Sequence, residues 1–167
     1  MKFKILCVSA LIAFVVSTAS AQTSHTFSGK CSKPDVQQSV PAGDKDGHVF
    51  TLGQGKCSAT GKIGTASAKD GSFSEHGEAT ANNSKAWGLY TENYDGGDKV
   101  YYSYMTTASL KAGAMTTGSN KYQIIGGTGK MKGIKGSGSC KLTGTADGGL
   151  DYSCTGTYTL AAAAPMK

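Results

Sequence analysis

Beyond residue 21 the apolar positions come in short runs, and no window sustains them at helical spacing. His25–Phe27, Val49–Leu52, Ala86–Tyr90, Lys99–Met105, Tyr122–Ile125 and Tyr152–Leu160 carry aromatic and β-branched residues between clusters of Gly, Asp and Asn. Such runs fit a pleated, half-buried surface, and each predicts a strand. The class is therefore all-β, and the even spacing of the runs points to a barrel or sandwich.

The best hairpin centres on Tyr94-Asp-Gly-Gly-Asp98, where two glycines permit positive φ and two aspartates can bond nearby amides. A four-residue loop there sets Thr91 opposite Tyr102 and Leu89 opposite Tyr104. Trp87, Leu89, Val100, Tyr102 and Tyr104 then share one face, the expected interior, while Tyr90, Tyr101 and Ser103 take the other. A three-residue loop would exchange the parity of the second strand and send Tyr101 and Met105 inward. A second turn is expected at Asp147-Gly148-Gly149. Ser32 to Gly47, with Pro34 and Pro41, reads as a long polar excursion that serves as a tether or a lid, and residues 161–167 read as a flexible tail.

The N-terminus changes the picture of where the chain works. Lys2 and Lys4 precede an apolar run from Ile5 to Val16, and Ser20-Ala21 offers the small side chains of a cleavage site, so residues 1–21 read as a signal peptide. Cys7 would leave with it. The remainder, 22–160, suits one domain that is exported to a periplasm or the extracellular space and has no transmembrane segment. Four cysteines then remain, Cys31, Cys57, Cys140 and Cys154, an even number without a C-x-x-C pair, and export favours disulfides over metal. The turn near Asp147 sets Cys140 opposite Cys154, which leaves Cys31 for Cys57.

Charge narrows the partners. The formal net charge of +6 includes Lys2 and Lys4, every cation is lysine, and the chain has no arginine. Nucleic-acid recognition thereby lacks its main bidentate donor, and scattered lysines read as solubility and edge protection.

Ile124-Ile-Gly-Gly-Thr-Gly-Lys-Met-Lys-Gly-Ile-Lys-Gly136 is the most distinctive stretch. A phosphate-loop reading fails, because Met131 follows Gly129-Lys130 and Ile124 stands where the first glycine is needed. A tight reversal into a strand fits better, with Gly133 and Gly136 allowing curvature. The stretch resembles the strand-turn-strand signature of the allene oxide cyclase and dirigent barrels, and Asp95-Gly-Gly-Asp-Lys-Val-Tyr101 is similar to the hairpin of their small exported bacterial relatives. The resemblance implies a closed antiparallel barrel of about eight strands, lipocalin-like in shape, with an apolar interior that can hold a small hydrophobic molecule. The family's acidic, tyrosine and arginine site residues find no one-to-one match here, so no catalytic residue carries over.

Other chemistry is sparse. His25, His48 and His76 are isolated and read as surface or loop residues, and neither a nucleophile elbow nor metal-ligand spacing occurs. Asp44, Asp46, Asp95 and Asp98 fit turn chemistry better than a calcium loop. Glu75, His76 and Glu78 read as a polar strand end or loop. Asn82-Asn-Ser84 is a formal glycosylation acceptor and marks an exposed loop. No metal or cofactor is implied. Trp87, Tyr102 and Tyr104 either fill the barrel's centre or are the candidate ligand contacts, and the expected role is a non-catalytic binding or structural module for a small apolar ligand or an envelope partner. The alternative is an isomerase, cyclase or dirigent-type enzyme acting on a hydrophobic intermediate inside the barrel.

Overall fold

The computed structural model describes residues 22–161; the signal-peptide reading of residues 1–21 and the tail from residue 162 fall outside the described residues. Nine strands follow in chain order: β1 (Thr23–Cys31), β2 (Val36–Pro41), β3 (Val49–Ile63), β4 (Ala66–Ala79), β5 (Asn83–Tyr94), β6 (Lys99–Lys111), β7 (Ala114–Gly127), β8 (Lys135–Gly144) and β9 (Leu150–Thr159). All neighbours are antiparallel, in the order β1-β9-β8-β7-β6-β5-β4-β3-β2, and a further β1–β3 pairing closes eight of them into a barrel. Closure leaves β2 as the strand with an open edge where an open sheet of this length would expose two. The expected all-β, eight-stranded barrel is what the chain forms.

β2 lies outside the closed ring. It continues along the edge of β3 that β1 vacates, pairing Val36–Pro41 with Val49–Gln54. The stretch from Ser32 to Gly47 is thus only partly loop, because its middle is a strand.

The β5–β6 hairpin corrects the predicted register. Tyr94 N donates to Asp98 O at 2.9 Å, leaving three residues, Asp95–Gly97, in the turn. Gly96 and Gly97 adopt φ of 80° and 86°, which a Cβ would oppose. Tyr90 therefore faces Tyr102 and Thr91 faces Tyr101. It is β5, not β6, whose parity changes: Val100 and Tyr102 remain inside, Tyr90, Glu92 and Tyr94 join them, and Trp87 and Leu89 turn outward. Tyr101 and Met105 do not move in.

Both predicted disulfides form, Cys31–Cys57 and Cys140–Cys154, each between direct register partners. Each spans neighbouring strands and points into the barrel, where Cys57 and Cys154 are buried.

The interior is filled by aromatic rings laid across glycines. Gly29 faces Tyr152, Gly55 faces Phe73, Gly88 faces Tyr104 and Gly138 faces Tyr122 on adjoining strands. A Cβ on Gly88 would stand 2.5 Å from Tyr104 Cζ, closer than nonbonded carbons approach. Only a glycine lets the ring lie flat on the neighbouring backbone, so much of this chain's inward glycine is space for tyrosine. At one end, the connection between β7 and β8 buries Met131 and Ile134 in the same core cluster as Ile63, Tyr94 and Val100 and closes the barrel floor. The Gly126–Lys130 stretch is thus the approach to a plug.

Candidate functional site

Above that floor lies the most polar part of the core. Glu92 stands two residues before Tyr94, the last residue of β5, so strand alternation gives it the same facing as Tyr94, and it is fully buried. Its Oε2 accepts hydrogen bonds from Tyr94 at 2.6 Å and Tyr102 at 2.7 Å, while Oε1 has no partner among the described residues. Burial raises the carboxyl's pKa, and the two hydroxyl donors only partly offset it. Burial and the Glu92 charge push the Tyr94 and Tyr102 hydroxyls well above the tyrosine range. Sequence reasoning passed over Glu92. The signal was the alternation Tyr90-x-Glu92-x-Tyr94, which becomes an inward triplet once the turn is shortened by one residue.

Beside this cluster, Tyr152 donates to Ser58 O at 3.0 Å and lies 3.5 Å from the Tyr90 hydroxyl. His25 is buried, not at the surface, since β1 directs it inward with Phe27, on which it stacks at 5.3 Å between centroids. Burial lowers its pKa.

Toward the other end the core loosens into a cavity of about 150 Å³. Its walls are largely aromatic and aliphatic and include both cystines. Glu75 and Asn120 are among its polar residues. Glu75 sits in mid-strand on the inward side of β4, not at a strand end, and its Oε2 accepts from Tyr104 at 2.7 Å. Burial raises its pKa, against the opposing hydrogen bond. Asn120 uses its amide N–H on Thr106 Oγ1 at 3.1 Å, and its buried Oδ1 has no partner among the described residues. The wall thus presents acceptors among largely apolar side chains.

The three candidate contact residues divide between two faces. Tyr102 and Tyr104 line the inner cavity. Trp87 sits on the outer surface, stacked on His76 at 6.0 Å with Lys85 Nζ 4.9 Å from its ring. It borders an open groove of about 1030 Å³ with Leu52, Leu89, Met105 and Lys121. Tyr104 contributes to both spaces, whereas Trp87 reaches only the outer groove and Tyr102 only the inner cavity, so the three form no single site.

The remaining polar candidates are structural. Glu78 and Asp44 flank His48 at 3.7 and 2.6 Å. Asp95 caps Ser67 N–H at 2.8 Å and Asp98 accepts from Lys130 N–H at 3.2 Å, which is turn chemistry. Among the described residues, no group of three or more His, Cys, Asp or Glu could hold a metal ion, and no helix is long and apolar enough to cross a membrane.

Compared with known proteins, the chain matches no family model and no curated protein. Among solved structures it is similar to a pterocarpan synthase dirigent protein, at 10% identity and a TM-score of 0.43, with 92% of this chain and 98% of that chain covered.

Proposed function

We propose that this is an exported barrel that holds a small, mainly apolar, hydroxyl-bearing molecule of about one ring in the cavity beside Glu75 and Asn120, without converting it. The observation that carries this reading is the cavity itself: about 150 Å³ of aromatic and cystine-lined space with acceptors on its wall. Ligand sites for larger molecules occupy roughly 300–1,000 Å³, whereas an apolar cavity of about 150 Å³ takes a benzene-sized guest. A phenol-type hydroxyl would give Asn120 Oδ1 the donor it lacks. The cystines and the aromatic tiling support a preformed site, because neither wall can collapse into the space cheaply.

Turnover is less well supported. The Glu75–Tyr104 hydrogen bond supplies an acid-base pair on the wall, which is the one feature that favours an isomerase or cyclase. A positioned nucleophile is not evident beside it among the described residues. Export follows from the leader reading and accords with two cystines.

The test is native mass spectrometry of the protein from its own host, followed by calorimetry with phenol and substituted phenols. A bound guest of about one ring, weakened about tenfold or more by Asn120→Leu, is the expected result. Release of a chemically altered guest, abolished by Glu75→Gln, would favour the enzyme instead.

A further inference from the structure

β2 is the one strand outside the closed ring, and on its far side it has no strand neighbour among the described residues. All six of its residues are exposed. Natural edges are usually blunted by charge, yet Val36-Gln-Gln-Ser-Val40 carries none in a chain with 17 lysines. Of the six exposed large hydrophobic residues among the described residues, four, Val36, Val40, Phe50 and Leu52, lie on β2 and the adjoining part of β3. Their register partners place them on one outward face: Val40 beside Phe50, Gln38 beside Leu52 and Val36 beside Gln54.

The direction of the edge groups follows from one hydrogen bond. Ala42 N donates to His48 O at 2.9 Å, in step with the Pro41–Val49 pairing. Because N–H and C=O of alternate residues point to the same side of an antiparallel strand, Val36, Gln38 and Val40 direct their backbone groups at β3. Gln37 and Ser39 direct theirs at the open edge. Pro41 shares that side and has no N–H to offer.

We infer that β2 pairs antiparallel with β2 of a second copy of this chain about a twofold axis at Gln38. Val-Gln-Gln-Ser-Val is nearly palindromic, so in this register Val36 faces Val40 of the second copy and Gln37 faces its Ser39. Gln37 and Ser39 are the residues whose N–H and C=O are outward, and each Gln37/Ser39 pair exchanges both bonds across the axis. Gln38 faces its own counterpart at the closely spaced, non-hydrogen-bonded position. Shifting the register two residues one way sets Pro41 against Gln37 and forfeits a bond on each side. Shifting it the other way brings Asp35 of each copy against Ser39 of the other. The same pairing joins Phe50, Val40 and Val36 of the two copies into a continuous apolar strip, as a self-complementary twofold contact requires.

The test is sedimentation of the protein, cystines intact, over a thousandfold concentration range, alongside oxidative crosslinking of variants with one added cysteine. The wild type should dimerise with concentration. Ser39→Pro removes only an outward amide, so it should leave far-UV circular dichroism unchanged and weaken the dimer about tenfold or more. Should that variant misfold, Val36→Lys with Val40→Lys opposes like charges across the axis and should give the same loss. Gln38→Cys should link copies through position 38 much faster than Gln37→Cys. A wild type monomeric at every concentration, an assembly indifferent to the Ser39 or Val36/Val40 changes, or equal crosslinking at 37 and 38 would overturn the inference.

Discussion

The Tyr102 hydroxyl donates to Glu92 Oε2 at 2.7 Å, across a hairpin whose three-residue turn sets both side chains on the inner face. A carboxylate buried there with one oxygen unpartnered is held at an energetic cost, and burial raises its pKa. A raised folded-state pKa means that the folded chain binds the proton more tightly than the unfolded one. The group's full contribution to stability is present below the unfolded value of about 4.3 and is lost as pH rises through the folded value. Glu92→Gln keeps an oxygen for both hydroxyls without the charge. In denaturation midpoints followed from acid to neutral pH, it should abolish that decline and equal or exceed the parent at pH 7. The gain is about 1.4 kcal/mol for each tenfold difference in proton affinity between the two states.

His25 acts in the opposite sense. Its pKa is lowered by burial, so its contribution is present above the unfolded value of about 6.5 and is lost as pH falls through the folded one. His25→Phe, which can keep the stack on Phe27, should remove this acid-side loss. Thermal unfolding of the two proteins across that interval measures the difference.

Gly88→Ala tests the laying of rings on glycines. The new Cβ would meet Tyr104 Cζ and Oη at 2.5 Å and the Ser74 carbonyl oxygen at 2.8 Å, while the hydrogen bond to Glu75 holds the ring in place. A loss of about 1–3 kcal/mol in chemical denaturation is expected, as for other overpacked cores. Gly113→Ala is the comparison, since nothing stands within 4 Å of a Cβ there and only its positive φ opposes the change.

Replacing Cys140 and Cys154 together by serine should cost about 3 kcal/mol, the chain-entropy value for a closed loop near this length, and cavity polarity adds to it. Equilibrium denaturation of the variant against the oxidised parent reads this directly.

Much of the fold was legible because its signals are local. Turn residues at Tyr94–Asp98 and Asp147–Gly149 fixed where strands reverse, and the second of them placed Cys140 against Cys154. Lys99–Met105 alternated clearly enough to give the facing of β6. Two things were hidden. β4 carries Gly, Ser, Lys, Asp and Glu with only Phe73 as a large apolar residue, because its inward side runs Gly71, Phe73, Glu75, Gly77, with Gly71 lying under the Tyr90 ring. Periodicity cannot register a strand whose core-facing side holds a single large apolar residue. The site depended on a single residue of loop length: one fewer in the turn turned Trp87 outward and Glu92 inward, and no local pattern decides between the two parities.

Trp87 supplies a convenient separation of the two faces. It is the single tryptophan and lies on the outer surface. Trp87→Ala should alter stability by less than about 1 kcal/mol and leave phenol affinity unchanged, as measured by denaturation and calorimetry.

The proposed binding of a one-ring guest in the inner cavity is tested most directly by titrating isotope-labelled protein with phenol, followed by nuclear magnetic resonance. Binding there predicts saturable shifts concentrated at Tyr102, Thr106 and Asn120, which line the inner cavity alone, with Leu52, Trp87 and Leu89 on the outer face unmoved. Shifts confined to the outer groove, or none at saturating phenol, would contradict it.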